Sequence, residues 1–172
     1  GELMMEASVP ENSLDLLGIG FSFPEEKVLS AKWIGNGPYR VWANRMKGVE
    51  FGLWEKEYNN TMTGHSFENL VYPEFKGFHT DFHALLLETE EGRIEVRTET
   101  PNLYLGLFKP ELPENSTPGT KPVLPQSDLS FLYKIPAIGT KFHLGSEMMA
   151  PDTVKALGEQ PTSSMILWFR FD

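Results

Sequence analysis

Cysteine is absent from this sequence, and its absence excludes both a disulfide framework and a thiolate metal site. Basic residues are scarce: 15 Lys and Arg stand against 24 Asp and Glu, which gives a formal net charge of −9. Because phosphate binding relies on clustered Lys and Arg, and the sequence shows no such cluster, we expect neither a nucleic acid nor an anionic membrane as a partner. The longest apolar runs, such as residues 165–169, are far shorter than the roughly 20 residues that span a bilayer.

Helix patterns are nearly absent too, and the best one covers only residues 152–157, between a proline and a glycine. Strand patterns dominate: in residues 93–98, Ile94 and Val96 share one face and charged side chains occupy the other. We expect strands at residues 14–23, 28–34, 50–58, 67–72, 82–89, 93–98, 103–108 and 164–171. Short strands separated by Gly and Pro predict an all-β protein, a β-sandwich with little helix.

One long loop interrupts the strands. Residues 109–128 contain five prolines among Ser, Thr, Asn and Gly, and proline cannot donate a hydrogen bond to a sheet. We expect an extended surface loop inside a single domain, because the segment after it is too short to fold alone. The sandwich is predicted to cover residues 14–172, and residues 1–13 are predicted to be a disordered or vector-derived amino-terminal segment.

His79, Asp81 and His83 follow each other at every second position, so on a strand all three would project from one face. Imidazole and carboxylate groups are ligands for zinc or a similar ion. The spacing shows no fourth ligand, however, and the competing interpretation is the polar outer face of an edge strand.

Carboxylates are plentiful, but no pair of them is singled out. A retaining glycosidase needs two carboxyl groups about 5 Å apart, one of them with a raised pKa. The glutamates that we considered lie mostly at outward-facing or turn positions, where solvated charge is the ordinary interpretation: Glu55, Glu57, Glu88, Glu90, Glu91 and Glu95.

Four large aromatic residues surround the turn at residues 35–38: Trp33, Tyr39, Trp42 and Trp54. Aromatic rings can stack on the apolar faces of sugars, but they also fill protein cores. Trp33 and Trp54 lie on expected strands and favour the core. For Tyr39 and Trp42, beside the turn, both interpretations remain open.

The residues around this turn carry a family resemblance. Residues 33–45, WIGNGPYRVWANR, resemble a pattern in the carboxy-terminal domain of family 2 β-galactosidases: aromatic, apolar, G, x, G, P, x, E, N, Y, x, D, R. Gly48 and residues 51–55, FGLWE, then resemble the glycine and the G-L-Y-E-like strand that follow this pattern.

Two later blocks extend the resemblance in the same order. Residues 72–74 and 77–83 are similar to the family's Y-x-x-P-Q-E-N-G-N-R-T-D-V-R segment. Residues 129–142 resemble the late segment of Bacteroidetes-type members, and the strand at 166–171 lies where those chains end. The resemblance therefore extends from about residue 14 to the end of the sequence.

The resemblance implies a β-supersandwich like that of galactose mutarotase. It also implies that the catalytic glutamates belong to a separate (β/α)8 barrel of the parent chain, which takes about 250 residues and cannot fit here. It implies no cofactor, and it favours a periplasmic or cell-surface location. We therefore expect a non-catalytic domain that packs against the barrel, with a galactoside-containing glycan as a second candidate partner.

The sequence departs from the family pattern at several positions. Arg40 and Val41 replace an acid–amide pair, and Asn44 replaces an aspartate. His79 and His83 occupy positions of family arginines. These departures weaken the expectation of a direct contribution to substrate binding.

Two rival functions stay open. The chain could be an independent carbohydrate-binding module whose sugar face comprises Tyr39, Trp42, Arg45, His79 and Asp81. It could also be a small metal-dependent enzyme built on His79, Asp81 and His83.

Overall fold

The computed structural model describes residues 2–5, 15–59, 73–111, 117–148 and 164–172, with the backbone alone for residues 2–5. These residues form the strands β1 Glu2–Met5, β2 Leu17–Phe21, β3 Val28–Gly37, β4 Glu50–Glu57, β5 Gly77–His79, β6 Ala84–Thr89, β7 Gly92–Thr98, β8 Tyr104–Leu107, β9 Leu129–Lys134 and β10 Met165–Phe171. Short 3-10 turns occur at Glu25–Lys27, Pro118–Thr120 and Gly145–Met148.

The strands form two antiparallel sheets. One has six strands in the order β1-β10-β7-β6-β3-β4, and the other has four in the order β2-β9-β8-β5. The predicted all-β sandwich with little helix is confirmed.

Alternation of side chains explains how the two sheets enclose a core. In β6, Leu85 and Leu87 are fully buried, while the alternating residues Ala84, Leu86 and Glu88 are partly exposed. They meet Leu105 and Phe131 of the four-stranded sheet in one cluster of buried residues. Burial of such side chains stabilises the fold by roughly 1.5–3 kcal/mol each, so this cluster holds the sheets together.

Most expected strands lie where the sequence predicts them, but three strands escaped prediction. The short β5 has only three residues, and β9 buries four successive side chains and so lacks alternation. The backbone of β1 pairs with β10, which corrects the expectation that all of residues 1–13 lie outside the sandwich. The predicted strand at 67–72 and helix at 152–157 fall outside the described residues.

The proline-rich loop is confirmed in its described part. Residues 109–111 and 117–128 contain no strand and a single 3-10 turn at Pro118–Thr120. At the end of this loop the backbone of Asp128 is tied to the strands on both sides of β9. Its carbonyl accepts from the Phe108 amide, just after β8, at 2.7 Å, and its amide donates to the Phe21 carbonyl of β2 at 3.0 Å.

Candidate functional site

Trp42 belongs to a second core cluster rather than to an open sugar platform. Only 5 % of the residue is exposed, and its ring meets the Phe78 ring edge-on at 5.5 Å between centroids. The neighbouring Val41 amide donates to the Phe78 carbonyl at 2.8 Å, which fixes the chain after the turn on β5. Leu132, Ile135 and Ile138 belong to the same cluster. The faces of the Trp42 ring are therefore packed by the protein itself.

The other aromatic residues of this region divide between core and surface. Trp33 is 1 % exposed and lies in the main core, as its place on a strand suggested. Trp54 is partly buried, and its indole NH donates to the Gly35 carbonyl at 3.1 Å. Tyr39 is 39 % exposed, and Arg45 is exposed as well. Of the four aromatic residues around the turn, Trp33, Tyr39, Trp42 and Trp54, Tyr39 is therefore the most exposed to solvent.

His79, Asp81 and His83 do not share one face, contrary to the expectation from their spacing. Strand β5 ends at His79, and Asp81 has a φ of 52°, so the alternation of an extended strand stops there. His79 is 1 % exposed and points into the sandwich, whereas His83 is exposed with its Nε2 atom 3.3 Å from Asp81 Oδ1. Among the described residues no three His, Cys, Asp or Glu side chains are placed to hold a metal ion.

His79 is a buried neutral histidine. Burial lowers the pKa of its imidazole from the ordinary 6.5 to about 4, and the nearby charge of Arg40 acts in the same direction. Its ring lies 4.6 Å from the Trp33 ring between centroids. Neither His79 Nδ1 nor Trp33 Nε1 has a hydrogen-bond partner within the described residues. The rings of these two residues join the sheets, and neither is accessible to a ligand.

Arg40 and Glu74 form a buried ion pair below the turn. Arg40 Nη2 lies 3.2 Å from Glu74 Oε1, and the Arg40 amide donates to Glu74 Oε2 at 2.9 Å. Burial raises the pKa of Glu74, and the Arg40 charge opposes this rise. The partner of this buried carboxylate is thus a cation, and the pair is not the two-carboxylate arrangement of a retaining glycosidase.

The outer surface of the six-stranded sheet carries exposed apolar residues. Ile34 pairs with Leu53 of β4 on one side and with Ala84 of β6 on the other. Phe51 lies two residues before Leu53 in β4 and so on the same face. Leu53 is 64 % exposed, Phe51 58 % and Ile34 39 %. We call Ile34, Phe51 and Leu53, with Ala84 and Leu86 on the same side of β6, the outer apolar face. A hollow of about 150 Å³ lies on it between Ile34, Leu53 and Leu86.

A cleft of about 470 Å³ lies elsewhere, between the proline-rich loop and the segment that follows β9. Its lining includes the apolar residues Ala43, Val123, Ile135 and Leu144, together with Lys121 and Lys134. No sequence pattern indicated this cleft, because its residues come from four segments outside the strands and from the end of β9, with no shared spacing. The proline-rich segment signalled only a surface loop.

Of the five candidate sugar-binding residues, Trp42 and His79 are buried, so the set does not form one accessible platform. Comparison of the chain with protein-family models, curated proteins and solved structures finds no match in any of the three. Across the described ranges, no helix has the length and apolar character needed to cross a membrane.

Proposed function

We propose that this chain is a non-catalytic β-sandwich accessory domain of a family 2 glycoside hydrolase of the β-galactosidase type. In this proposal it packs against the catalytic (β/α)8 barrel of its parent chain through the outer apolar face. Three sequence blocks in family order support the assignment to this class. The outer apolar face is the structural observation that carries the docking role.

The outer apolar face has the character of an interface. The free face of an antiparallel sheet is normally polar, because it meets water. Here Phe51 and Leu53 are more than half exposed on an edge strand. Lys32 of β3 and Glu55 of β4 are paired across the two strands next to Ile34 and Leu53, and their side chains form an ion pair at 3.0 Å. An apolar centre with a charged border is the usual anatomy of a protein–protein contact.

The docking role is tested by calorimetric titration of this chain with the barrel of its parent protein. We expect saturable binding by the wild-type chain and at least about tenfold weaker binding by Leu53→Glu, since a carboxylate would be desolvated in the contact. Val123→Glu is the matched control, because Val123 is 51 % exposed and lies in the proline-rich loop. Equal binding by wild type and Leu53→Glu would refute docking through this face.

The rival carbohydrate-binding module keeps one supporting observation, namely that Tyr39 and Arg45 of its predicted sugar face are both exposed. A glycan-array screen of the purified chain, with Tyr39→Ala alongside, tests it. We expect no galactoside binding that depends on Tyr39. Specific binding that disappears in Tyr39→Ala would replace the docking account with the binding-module account.

A further inference from the structure

We infer that the cleft between the proline-rich loop and the segment after β9 binds a sugar-sized organic anion, with a hexuronate as the representative ligand. The sugar part of this inference rests on the proposed function. The anionic part rests on the side chains of the cleft alone. The cleft is separate from the outer apolar face, so it adds a binding role to the docking role.

The dimensions of the cleft suit a small molecule. Its volume of about 470 Å³ lies within the range of roughly 300–1,000 Å³ typical of ligand pockets. Its apolar walls come from separate parts of the chain, since Val123 belongs to the proline-rich loop and Ile135 to the segment after β9. Such walls can cover the C–H faces of a compact ring, while polar groups at the rim fix its orientation.

Close backbone contacts form the cleft before any ligand arrives. A Cβ atom on Gly119 would lie 2.2 Å from the Thr140 carbonyl oxygen, and one on Gly139 would lie 2.4 Å from the Gly119 carbonyl oxygen. A Cβ atom on Gly145 would lie 2.5 Å from the Ala137 carbonyl oxygen. Glycine thus lets the backbones on the two sides of the cleft touch, and a preorganised site loses less entropy on binding.

The side of the cleft that the segment after β9 forms is also held by specific hydrogen bonds. Asn44 donates from Nδ2 to the Ile138 carbonyl at 2.8 Å and accepts from the Ile138 amide through Oδ1 at 3.0 Å. The Ala43 amide donates to the Pro136 carbonyl at 3.0 Å. Ala43 and Pro136 both line the cleft, so these bonds define its shape.

The charge of the cleft indicates the sign of its ligand. Lys121 and Lys134 line it, and neither forms an ion pair with another described residue. Among the described residues of the lining, Asp15 is the single acidic one. These two lysines form a local positive charge in a chain whose formal net charge is −9. A carboxylate on the ligand complements these lysines, and Asp15 can accept a hydrogen bond from a ligand hydroxyl.

The test is a ¹H–¹⁵N NMR titration with galacturonate, with neutral galactose as the matched ligand. We expect saturable shifts of the amides of residues 119–121, 123, 134, 135, 137 and 144–146 with galacturonate and none with galactose. The double variant Lys121→Gln/Lys134→Gln should bind galacturonate at least about tenfold more weakly. Lys109→Gln/Lys141→Gln removes the same charge outside the cleft lining and should bind as the wild type does.

A second variant separates cleft occupancy from charge. Val123→Trp places a large ring at a half-exposed position of the cleft wall and should block galacturonate without changing the net charge. Absence of saturable shifts in the cleft, or binding unaffected by the double lysine change, would overturn the inference.

Titration with cyclohexanecarboxylate, an anion of similar size without sugar hydroxyls, tests whether the cleft requires a sugar or only an anion. Binding as tight as that of galacturonate would refute the sugar specificity while leaving the anion site supported. Barrel docking is measured at the outer apolar face with a different ligand, so the proposed function and this inference can fail independently.

Discussion

At the residue scale, Trp42 shows why exposure decides between sugar stacking and packing. Its ring is buried against Phe78 in the second cluster. We expect Trp42→Ala to lower the free energy of unfolding by about 3–5 kcal/mol, because it leaves a cavity beside Phe78. Tyr39→Ala, at an exposed position, should cost within about 1 kcal/mol. Urea denaturation measures both; an unchanged midpoint for Trp42→Ala would show that the ring is not part of the core.

His79 predicts a pH dependence with a defined sign. Its pKa is about 4 in the folded chain against 6.5 ordinarily, so between these values the unfolded chain binds more protons. The contribution of the neutral His79 imidazole to the free energy of unfolding is complete above about pH 6.5. It declines as the pH falls towards 4, by about 3 kcal/mol in total.

Unfolding measured from pH 4 to 7 checks this prediction. Glu74 acts with the opposite sign, because its pKa is raised, so the difference between variant and wild type is the informative quantity. His79→Gln should remove the His79 component, whereas the exposed His83→Gln should retain it. An unchanged slope in His79→Gln would contradict a buried neutral imidazole.

At the scale of elements, Asn44 ties the turn after β3 to the segment after β9. Its amide both donates to and accepts from Ile138, and a carboxylate cannot donate. Asn44→Asp introduces the aspartate of the β-galactosidase pattern that the sequence resembles, yet here it should destabilise the chain by about 1–3 kcal/mol, since the carboxylate would face a carbonyl oxygen.

Asn36→Asp is the control for this prediction. Asn36 Nδ2 donates to Thr80 Oγ1 at 2.7 Å, and a hydroxyl can turn to donate to a carboxylate instead. Thermal unfolding should therefore show a small loss for Asn36→Asp and a larger one for Asn44→Asp. Equal losses would mean that the Ile138 contact is not specific.

The same elements show how far the sequence predicts this fold. Strands β6 and β7 were predictable because one face is buried and the other solvated, which produces alternation. Strand β9 was not, because it is buried on both faces. The spacing of His79, Asp81 and His83 wrongly predicted one shared face. The positive φ of Asp81 ends the extended conformation on which that prediction depended. The cleft escaped prediction because long-range packing assembles it from loops.

At the scale of the whole molecule, the two-sheet sandwich separates two surfaces. The outer apolar face lies on β3, β4 and β6 of the six-stranded sheet, and the cleft lies among the loops around the end of β9. The docking proposal concerns only the first of these surfaces. Strand β4 is an edge strand of its sheet, so a partner can contact both its side chains and its backbone.

Hydrogen–deuterium exchange of this chain, with and without the barrel of its parent protein, shows whether the outer apolar face is the docking surface. We expect slower amide exchange in β4, Glu50–Glu57, when the barrel is added, because docking covers this edge strand. Exchange in residues 117–123 should stay unchanged. Unaltered exchange in β4 at a barrel concentration that saturates binding would contradict docking through the outer apolar face.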